Sequence, residues 1–502
     1  MEPVIEGLSL IADPFNLFLI FMGVLIGVIV GALPGLSSPM AVALLLPFTI
    51  SLEPVPAIAM MAALYCAGTF GGSITAILIN APGAPPAAAT ALDGYPMARR
   101  GEAGRALGIA AVSSVCGGIF SLVIFLLAAP LLAQLATSFR PMEYFALAVF
   151  ALSMLASISG KSSLRNLIGG AIGVLIGTFG IHLTTGVERF TFGVPELTEG
   201  VQFIPVLIGL FAMGELLNQS QTLDVAYKRI SAVVVRLPSR EDFRRIRGTI
   251  LRSAGLGTFI GILPAEGATV AALMGYNEAK RWAKNKEEFG TGCPEGIAGP
   301  EAANNAATGG AMVPTLALGI PGSGTTAIIL AALIMHGFRP GPYLMKETPE
   351  FVYAIFAAML VANFMFLAIG LAGAKLFSRV TLIPRTLLWP SVFVFSVVGS
   401  YSAGASLFDV WVMLISGVVG FVMLRHGFSP APLVMGLILG KLVEESLSQS
   451  MILLDNNWLR FFESPIVAVF FALTVLGLTW PWLSALASSL WRRRKIAEPG
   501  DG

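Results

Sequence analysis

Charged residues are scarce in this chain of 502 residues, of which they make up 12%, while 56% of the chain is hydrophobic. Soluble domains carry about 25% charged residues, so too little charge is present to cover a water-facing surface. The mean hydropathy of +0.81 agrees with this. The formal net charge is only +2, which gives no reason to expect nucleic acid as a partner. The composition predicts a membrane protein whose surface mostly contacts lipid.

Cysteine and histidine are equally scarce, with three of each. Cys66, Cys116 and Cys293 have no paired spacing, which excludes a disulfide framework and a Cys/His metal site. The chain also lacks a zinc-protease motif and a nucleophile elbow, so we expect no enzyme and no cofactor beyond a coupling ion. No basic residue precedes the first apolar run, so that run is expected to remain as a membrane helix rather than a cleaved signal peptide.

Apolar segments long enough to cross a bilayer recur from end to end. With 55 Gly and 31 Pro, several are interrupted, so we expect an all-α polytopic membrane protein with about 11–14 membrane elements, some re-entrant. Basic clusters alternate with acidic or neutral connections. By the positive-inside rule this places the N-terminus in the periplasm and the C-terminus in the cytoplasm of a bacterial inner membrane. The predicted division is a first transmembrane half at 1–220, a basic cytoplasmic linker at 221–248, a second half at 249–491 and a basic cytoplasmic tail at 492–502.

Two stretches of the first half have counterparts in the second. Gly31-Ala-Leu-Pro-Gly35 resembles Gly261-Ile-Leu-Pro-Ala265, and Ile79-Asn-Ala-Pro-Gly-Ala84 resembles Gly319-Ile-Pro-Gly-Ser323. The charge of the connections between them is acidic in one half and basic in the other. The sequence therefore predicts two inverted repeats with broken helices, an architecture of secondary transporters with the binding site near the breaks. The alternative is chance matching in a chain rich in Gly and Pro.

A broken membrane helix survives only where protein or water satisfies its exposed backbone groups. Helix N-termini that follow such breaks suit a carboxylate. Glu301, Asn304, Asn305 and Thr308 share one helical face, and intramembrane polar groups of this kind mark a pathway. The alternative is an ordinary helix start with Glu301 complementing the dipole. The predicted substrate-binding residues are Ser73, Asn80, Pro82, Gly83, Asn304, Asn305, Thr308, Pro321, Gly322, Ser323, Thr325 and Thr326.

The other two breaks would present unwound carbonyl groups and nearby hydroxyls, which are candidate ligands for Na⁺. The alternative is that these breaks are simple packing kinks. The candidate cation ligands are Gly35, Ser37, Ser38, Ala265, Glu266 and Thr269.

From about residue 15 to 480 the chain resembles the large membrane subunit of tripartite tricarboxylate transporters, the TctA family. The resemblance is most specific in Leu92-Asp-Gly-Tyr-Pro-Met-Ala-Arg-Arg-Gly101, Pro300-Glu-Ala-Ala-Asn-Asn-Ala, Gly319-Ile-Pro-Gly-Ser323 and His336-Gly-Phe-Arg-Pro-Gly-Pro342. It implies import of di- and tricarboxylates or related organic anions on a cation gradient, generally of Na⁺. It also implies two partners, a small membrane subunit and a periplasmic solute-binding protein that delivers the substrate.

Two positions depart from the family's usual pattern. Glu266 stands where a small residue is common, and the first loop, Asn80-Ala-Pro-Gly-Ala-Pro-Pro86, is rich in Pro and poor in hydroxyl groups. Because of these two departures, the resemblance does not identify the substrate. Glu266 either binds the coupling cation, carries a proton instead, or faces away from the site.

The predicted function is cation-coupled secondary uptake of organic carboxylates across the inner membrane, with Na⁺ or H⁺ as the coupling ion. The alternative is a channel or facilitator for organic anions with paired re-entrant loops. Such a channel would conduct without accumulating its solute.

Overall fold

The computed structural model describes residues 2–33, 35–157, 163–182, 184–220, 235–264, 267–380 and 385–479. The chain forms two compact units. Unit 1 comprises Met1–Ser138 and Val201–His426, and unit 2 comprises Phe139–Gly200 and Gly427–Gly502. These units do not coincide with the predicted sequence halves, which follow the repeat, so that division stays a prediction. The predicted tail at 492–502 lies outside the described residues.

Every regular element in the described residues of unit 1 is helical. A π-helical turn at Ala98–Glu102, where Gly101 has a φ of 85°, joins α5 to α6. A second π-helical turn, at Ile208–Met213, joins α9 to α10. Its helices are α1 (Glu2–Ala12), α2 (Pro14–Ala32), α3 (Ser38–Leu45), α4 (Pro54–Ile79), α5 (Ala87–Met97), α6 (Ala103–Ala136), α9 (Phe203–Leu207), α10 (Gly214–Gln219), α11 (Arg240–Ile262), α12 (Gly267–Trp282), α13 (Pro294–Leu318), α14 (Gly324–Met335), α15 (Pro342–Glu347), α16 (Pro349–Val380), α17 (Arg385–Gly404) and α18 (Leu407–Arg425).

Unit 2 consists of α7 (Pro141–Ser157), α8 (Ser163–Gly177), α19 (Pro430–Leu453) and α20 (Pro465–Thr479), with a short hairpin of β1 (Gly180–Ile181) and β2 (Glu188–Arg189). Helices α8 and α19 pack closely because a glycine lies at their contact. A Cβ atom at Gly173 would lie 2.0 Å from the carbonyl oxygen of Leu433, so only glycine permits this approach. The guanidinium of Arg189 forms an ion pair with Glu444 beside the hairpin.

Five helices in the described part of the chain are long and apolar enough to cross a membrane, and further apolar helices of 10–17 residues accompany them. The five are Pro14–Ala32, Pro54–Ile79, Ala87–Ala136 (which runs through α5, the turn at Ala98–Glu102 and α6), Pro349–Ala372 and Leu407–Arg425. Each is long enough to cross a hydrocarbon core about 30 Å thick. The prediction of an all-α polytopic membrane protein is confirmed.

Helix α11 begins at Arg240, inside the polar stretch that the sequence assigned to a linker ending at residue 248. Ser239 accepts a hydrogen bond from the Asp242 N–H, and Asp242 accepts one from the Ser239 N–H, which forms a capping box. The Arg105 guanidinium also pairs with Asp242 at 2.5 Å. These contacts fix the start of α11, while residues 221–234 of the predicted linker lie outside the described residues.

The predicted repeat is visible in the way two helix pairs touch. Gly27 and Gly31 of α2 lie against the backbone of α4, where a Cβ atom at Gly31 would be 2.2 Å from the Gly68 carbonyl oxygen. Gly257 and Gly261 of α11, 230 positions later (257 minus 27), lie against the backbone of α13 in the same way. The two pairs are the same packing motif used twice, since equivalent glycines make equivalent contacts.

The C-terminal ends of α4 and α13 also match each other, in backbone conformation and in backbone hydrogen bonding. Each helix ends in a left-handed residue, Asn80 with a φ of 54° and Gly319 with a φ of 73°. The next N–H in each repeat donates to the carbonyl five positions before the cap, that of Thr75 in α4 and that of Pro314 in α13. The offset is 239 positions (319 minus 80), and it also relates the two Pro-Gly pairs that follow. The structure therefore contains an internal repeat, while its inversion across a membrane stays a prediction.

The repeats are offset by 230 positions at the glycines of α2 and α11 and by 239 positions at the ends of α4 and α13. The difference of nine residues (239 minus 230) arises at one place in the chain. In the first repeat, only two residues separate α4 from a 3₁₀ turn that ends at Ser51. In the second repeat, residues 283–293 separate α12 from α13. The second repeat therefore carries an insertion before its second long helix.

Candidate functional site

The two Pro-Gly breaks sit differently in unit 1. In the first break Asn80 and Pro82 are exposed and line a surface groove of about 400 Å³, together with Leu92 and Tyr95 of α5. In the second break Pro321 is buried, as are the three residues that follow it. The structure thus places the predicted residues of the first break at a surface and those of the second in the interior.

Glycine is required at the tip of the first break. A Cβ atom at Gly83 would lie 1.8 Å from the Gly31 carbonyl oxygen, and the Gly83 N–H donates to the Gly72 carbonyl at 3.3 Å. At its counterpart Gly322, a Cβ atom would lie 2.7 Å from the Ala311 Cα of α13. Each break therefore folds back on the long helix that precedes it.

Helix α14 begins at the second break with a capping box. The Ser323 hydroxyl accepts from the Thr326 N–H at 3.2 Å, and the Thr326 hydroxyl accepts from the Ser323 N–H at 2.9 Å. The Ser323 hydroxyl also lies 3.2 Å from the Tyr65 hydroxyl of α4. Thr325, in the first turn, is 3% exposed. The predicted hydroxyls are brought together, and two of them hold the helix N-terminus in shape.

Glu301 is fully buried at the centre of α13. Its Oε1 accepts hydrogen bonds from the hydroxyls of Ser73 on α4 and Thr90 on α5, the latter at 2.5 Å. Its Oε2 has no hydrogen-bond partner. Among the described residues, no Lys, Arg or His lies within ion-pair distance of it. The carboxyl group is thus held by two hydroxyls, and no positive charge in the described part of the chain compensates it.

Asn304 lies one turn further along α13 and is 1% exposed. Neither its Oδ1 nor its Nδ2 has a hydrogen-bond partner. Its equivalent in the first repeat is Tyr65, 239 positions earlier (304 minus 65), whose hydroxyl reaches Ser323 at the break of the other repeat. A buried amide without partners is costly, by about 1–3 kcal/mol per unsatisfied group, and such groups in native proteins have a reason to exist.

Asn305 and Thr308 are engaged with the protein. The Asn305 amide donates to the Ser114 carbonyl of α6 at 2.9 Å and to the Asn363 side chain of α16 at 3.0 Å. The Thr308 hydroxyl donates to the Asn305 carbonyl at 2.7 Å and lies 3.8 Å from the Cys66 sulfur. In this conformation Asn305 joins three helices, while Asn304 is the amide with free donors and acceptors.

The profile of the tripartite tricarboxylate transporter TctA family matches residues 17–435 of the chain. The chain belongs to the TctA family. An uncharacterized 52.8 kDa protein from the TAR-I ttuC' 3' region of Agrobacterium vitis is 39% identical over 99% of both chains. An uncharacterized protein from the TAR-II ttuC' 3' region of the same organism is 37% identical, over 49% of this chain and all of its own length. No solved structure matches the chain.

Family membership makes the chain a membrane component of a tripartite tricarboxylate transporter, which works with other subunits. The Asn304 amide, the Thr325 hydroxyl and the N-terminus of α14 are groups that can donate hydrogen bonds to an anion. An ionised Glu301 would repel an anion bound at Asn304, which lies one turn away on α13. The role of these residues in substrate binding stays a prediction.

The candidate cation ligands of this TctA-family chain are only partly described. Gly35 has a φ of 92°, and its carbonyl oxygen accepts a hydrogen bond from the Gln219 side-chain amide. The Ser37 hydroxyl caps α3 by accepting from the Met40 N–H at 3.4 Å. The Ser38 hydroxyl faces Gly68 of α4. Thr269 lies in the first turn of α12, while Ala265 and Glu266 lie outside the described residues. Their role as Na⁺ ligands stays a prediction.

The Asp93 side chain joins α5 to the nine-residue insertion before α13. Asp93 Oδ1 accepts from the N–H groups of Gly290, Gly292 and Cys293 at 2.7–2.9 Å, and its Oδ2 accepts from the Tyr276 hydroxyl at 2.9 Å. The carboxylate thus sits at the N-terminus of α13, where a negative charge is stabilising. In the same connection, Arg245 hydrogen-bonds to Glu288 and holds the pKa of that carboxyl below its ordinary value.

Sequence reasoning left Tyr65 and Asp93 out of the site, and it placed Thr90 beside the first Pro-Gly break without predicting its contact with Glu301. Thr90 meets Glu301 across 211 positions and Tyr65 meets Ser323 across 258, and a single sequence carries no direct signal for such pairs. The repeat offset was a usable signal for Tyr65, because shifting Asn304 by that offset lands on it. Asp93 lies inside the family-like segment from Leu92 to Gly101, but nothing in that segment shows what it binds.

Proposed function

We propose that this TctA-family chain carries out cation-coupled secondary uptake of an organic di- or tricarboxylate across the bacterial inner membrane. A periplasmic solute-binding protein delivers the substrate, and a small membrane subunit completes the transporter. The N-terminus faces the periplasm and the C-terminus the cytoplasm. Na⁺ is the proposed coupling ion.

The observation that carries this proposal is the pair of matched helix breaks from the two repeats, with a buried polar face between α4 and α13. The second break lies in the protein interior, where a broken helix exposes backbone donors that suit a carboxylate. Asn304 adds a buried amide with no partner in the protein. Repeated halves that can move past each other supply a route to alternating access.

The test is uptake of labelled succinate and citrate into proteoliposomes that contain the chain with its two partner subunits. Na⁺ and pH gradients are imposed separately. We expect accumulation above the external concentration with one of them and none without a gradient. Equilibration of the solute that ignores both gradients would contradict the proposal and favour a channel.

A further inference from the structure

Glu301 has a property that carboxylate binding alone does not explain. It is fully buried in α13, and burying an unpaired carboxylate costs several kcal/mol. Proteins avoid that cost by pairing the charge, by protonating the group or by binding a cation. No basic side chain in the described part of the chain pairs with it, so one of the other two must apply.

The contacts of Glu301 show where a cation would enter. Ser73 and Thr90 both donate to Oε1, which leaves Oε2 without a partner. One turn along the helix, Asn304 Oδ1 is also buried and without a partner. A carboxylate oxygen and an amide oxygen, with two hydroxyls close by, are the hard oxygen donors that small cations prefer.

Two ionisable groups near this level of unit 1 have partners of their own. Asp93 is bound by three backbone N–H groups and Tyr276, and Tyr65 is hydrogen-bonded to Ser323. Among the described residues, none of the ionisable groups on the helices packed against α13 makes an ion pair with Glu301. They are Arg105 and Cys116 on α6, Arg240, Glu241, Asp242, Arg244, Arg245, Arg247 and Arg252 on α11, Tyr276, Glu278, Lys280 and Arg281 on α12, Tyr65 and Cys66 on α4, Asp93 and Tyr95 on α5, Tyr343, Lys346 and Glu347 on α15, and Glu295 on α13 itself.

We propose that Glu301 is the coupling-cation site, at which H⁺ or Na⁺ neutralises the carboxylate each time substrate is bound, with Ser73, Thr90 and Asn304 as its neighbours. This rests on the proposed transport function and places coupling on α13 rather than at Glu266. Neutralisation removes the repulsion between Glu301 and an anion held by Asn304. Loss of the cation on the cytoplasmic side restores the charge and drives the substrate off.

The decisive variant is Glu301→Gln, which keeps the shape and an oxygen acceptor for Ser73 and Thr90 but is permanently neutral. In proteoliposomes with the partner subunits, we expect gradient-driven accumulation to fall at least tenfold, while exchange of internal for external substrate persists. The matched control is Glu295→Gln on the same helix, whose carboxylate is paired with Arg245 at 2.6 Å. It should keep its dependence on the gradient.

Two further arms identify the cation. If Na⁺ is bound, NaCl but not choline chloride raises the melting temperature of the wild type, and Glu301→Gln abolishes that shift. If H⁺ is bound, the rate of exchange in the wild type depends on pH, and the variant is flat over the same range. Both outcomes support the site.

Gradient-dependent accumulation by Glu301→Gln at the wild-type level would overturn the proposal. If the wild type itself fails to accumulate substrate, the proposed function fails instead. If Glu301→Gln does not fold, Ser73→Ala and Thr90→Val retain the carboxylate but remove its donors. We expect each to change the cation concentration for half-maximal uptake at least threefold, and unchanged values in both would also overturn the proposal.

Discussion

Tyr65 and Asn304 occupy equivalent positions in the two repeats, yet their side chains differ in what they meet. The Tyr65 hydroxyl reaches the cap of α14 at Ser323, while the Asn304 amide has no hydrogen-bond partner among the described residues. Equivalent positions thus supply one contact that shapes the site and one that is open to a ligand.

Replacing Tyr65 with Phe removes one hydroxyl and keeps the ring. The loss of a buried hydrogen bond, worth about 0.5–1.5 kcal/mol, should raise the KM for substrate by roughly 2–10-fold. Uptake kinetics at matched protein levels measure it. Tyr401→Phe, at a residue 47% exposed, is the control and should match the wild type. An unchanged KM for Tyr65→Phe would separate this contact from binding.

Replacing Gly83 with Ala tests the closeness of the first break to α2. The added Cβ would collide with the backbone oxygen of Gly31, and such overpacking costs about 1–3 kcal/mol or more. We expect a lower melting temperature in detergent and loss of transport. The control is Gly255→Ala, where no heavy atom lies within 4 Å of the added Cβ; it should be neutral or slightly stabilising. Equal stability of the two variants would refute the close approach.

At the scale of elements, the sequence predicted the breaks because Pro and Gly mark them locally. Gly31 could be matched to Gly261, and Pro82 to Pro321, from the order of residues along the chain alone. What each break faces depends on burial and on partners more than 200 positions away, so the exposure of Asn80 and the interior position of Pro321 were not predictable. Asn305 shows the same limit, since its spacing on α13 is that of Asn304 while its partners are Ser114 and Asn363.

The contacts of Asp93 between α5 and the insertion before α13 give a prediction for these elements. Asp93→Asn keeps the acceptor oxygen but removes the charge, and charged hydrogen bonds are roughly twice as strong as neutral ones. Amide hydrogen exchange at Gly290, Gly292 and Cys293 should quicken roughly tenfold or more. Asp13→Asn, at the exposed cap of α2, should leave these amides unchanged. Equal exchange in both variants would show that Asp93 does not hold the insertion.

At the scale of the whole molecule, the transport hypothesis requires helices of the two repeats to move past each other. Cys66 of α4 and Thr308 of α13 belong to different repeats, and their side-chain atoms approach to 3.8 Å. That proximity suits a disulfide between Cys66 and a cysteine in place of Thr308. A covalent link there would join the repeats at the proposed site.

We therefore expect Thr308→Cys to transport when reduced, to lose uptake under a membrane-permeant oxidant, and to regain it with reductant. Uptake and the cross-linked fraction are measured on the same vesicles. The same substitution in a Cys66→Ala background should be insensitive to oxidant. Full uptake by the cross-linked protein would show that α4 and α13 do not separate during transport.

The nine-residue insertion has a consequence for the direction of the cycle. Two identical halves would give a carrier whose two end states have equal energy, with no resting side. Here only one half carries the extra segment, and Asp93 of the other half fastens it. Under the proposed transport cycle the two end states therefore differ in energy, and the empty carrier should rest in the state in which Asp93 holds the inserted segment.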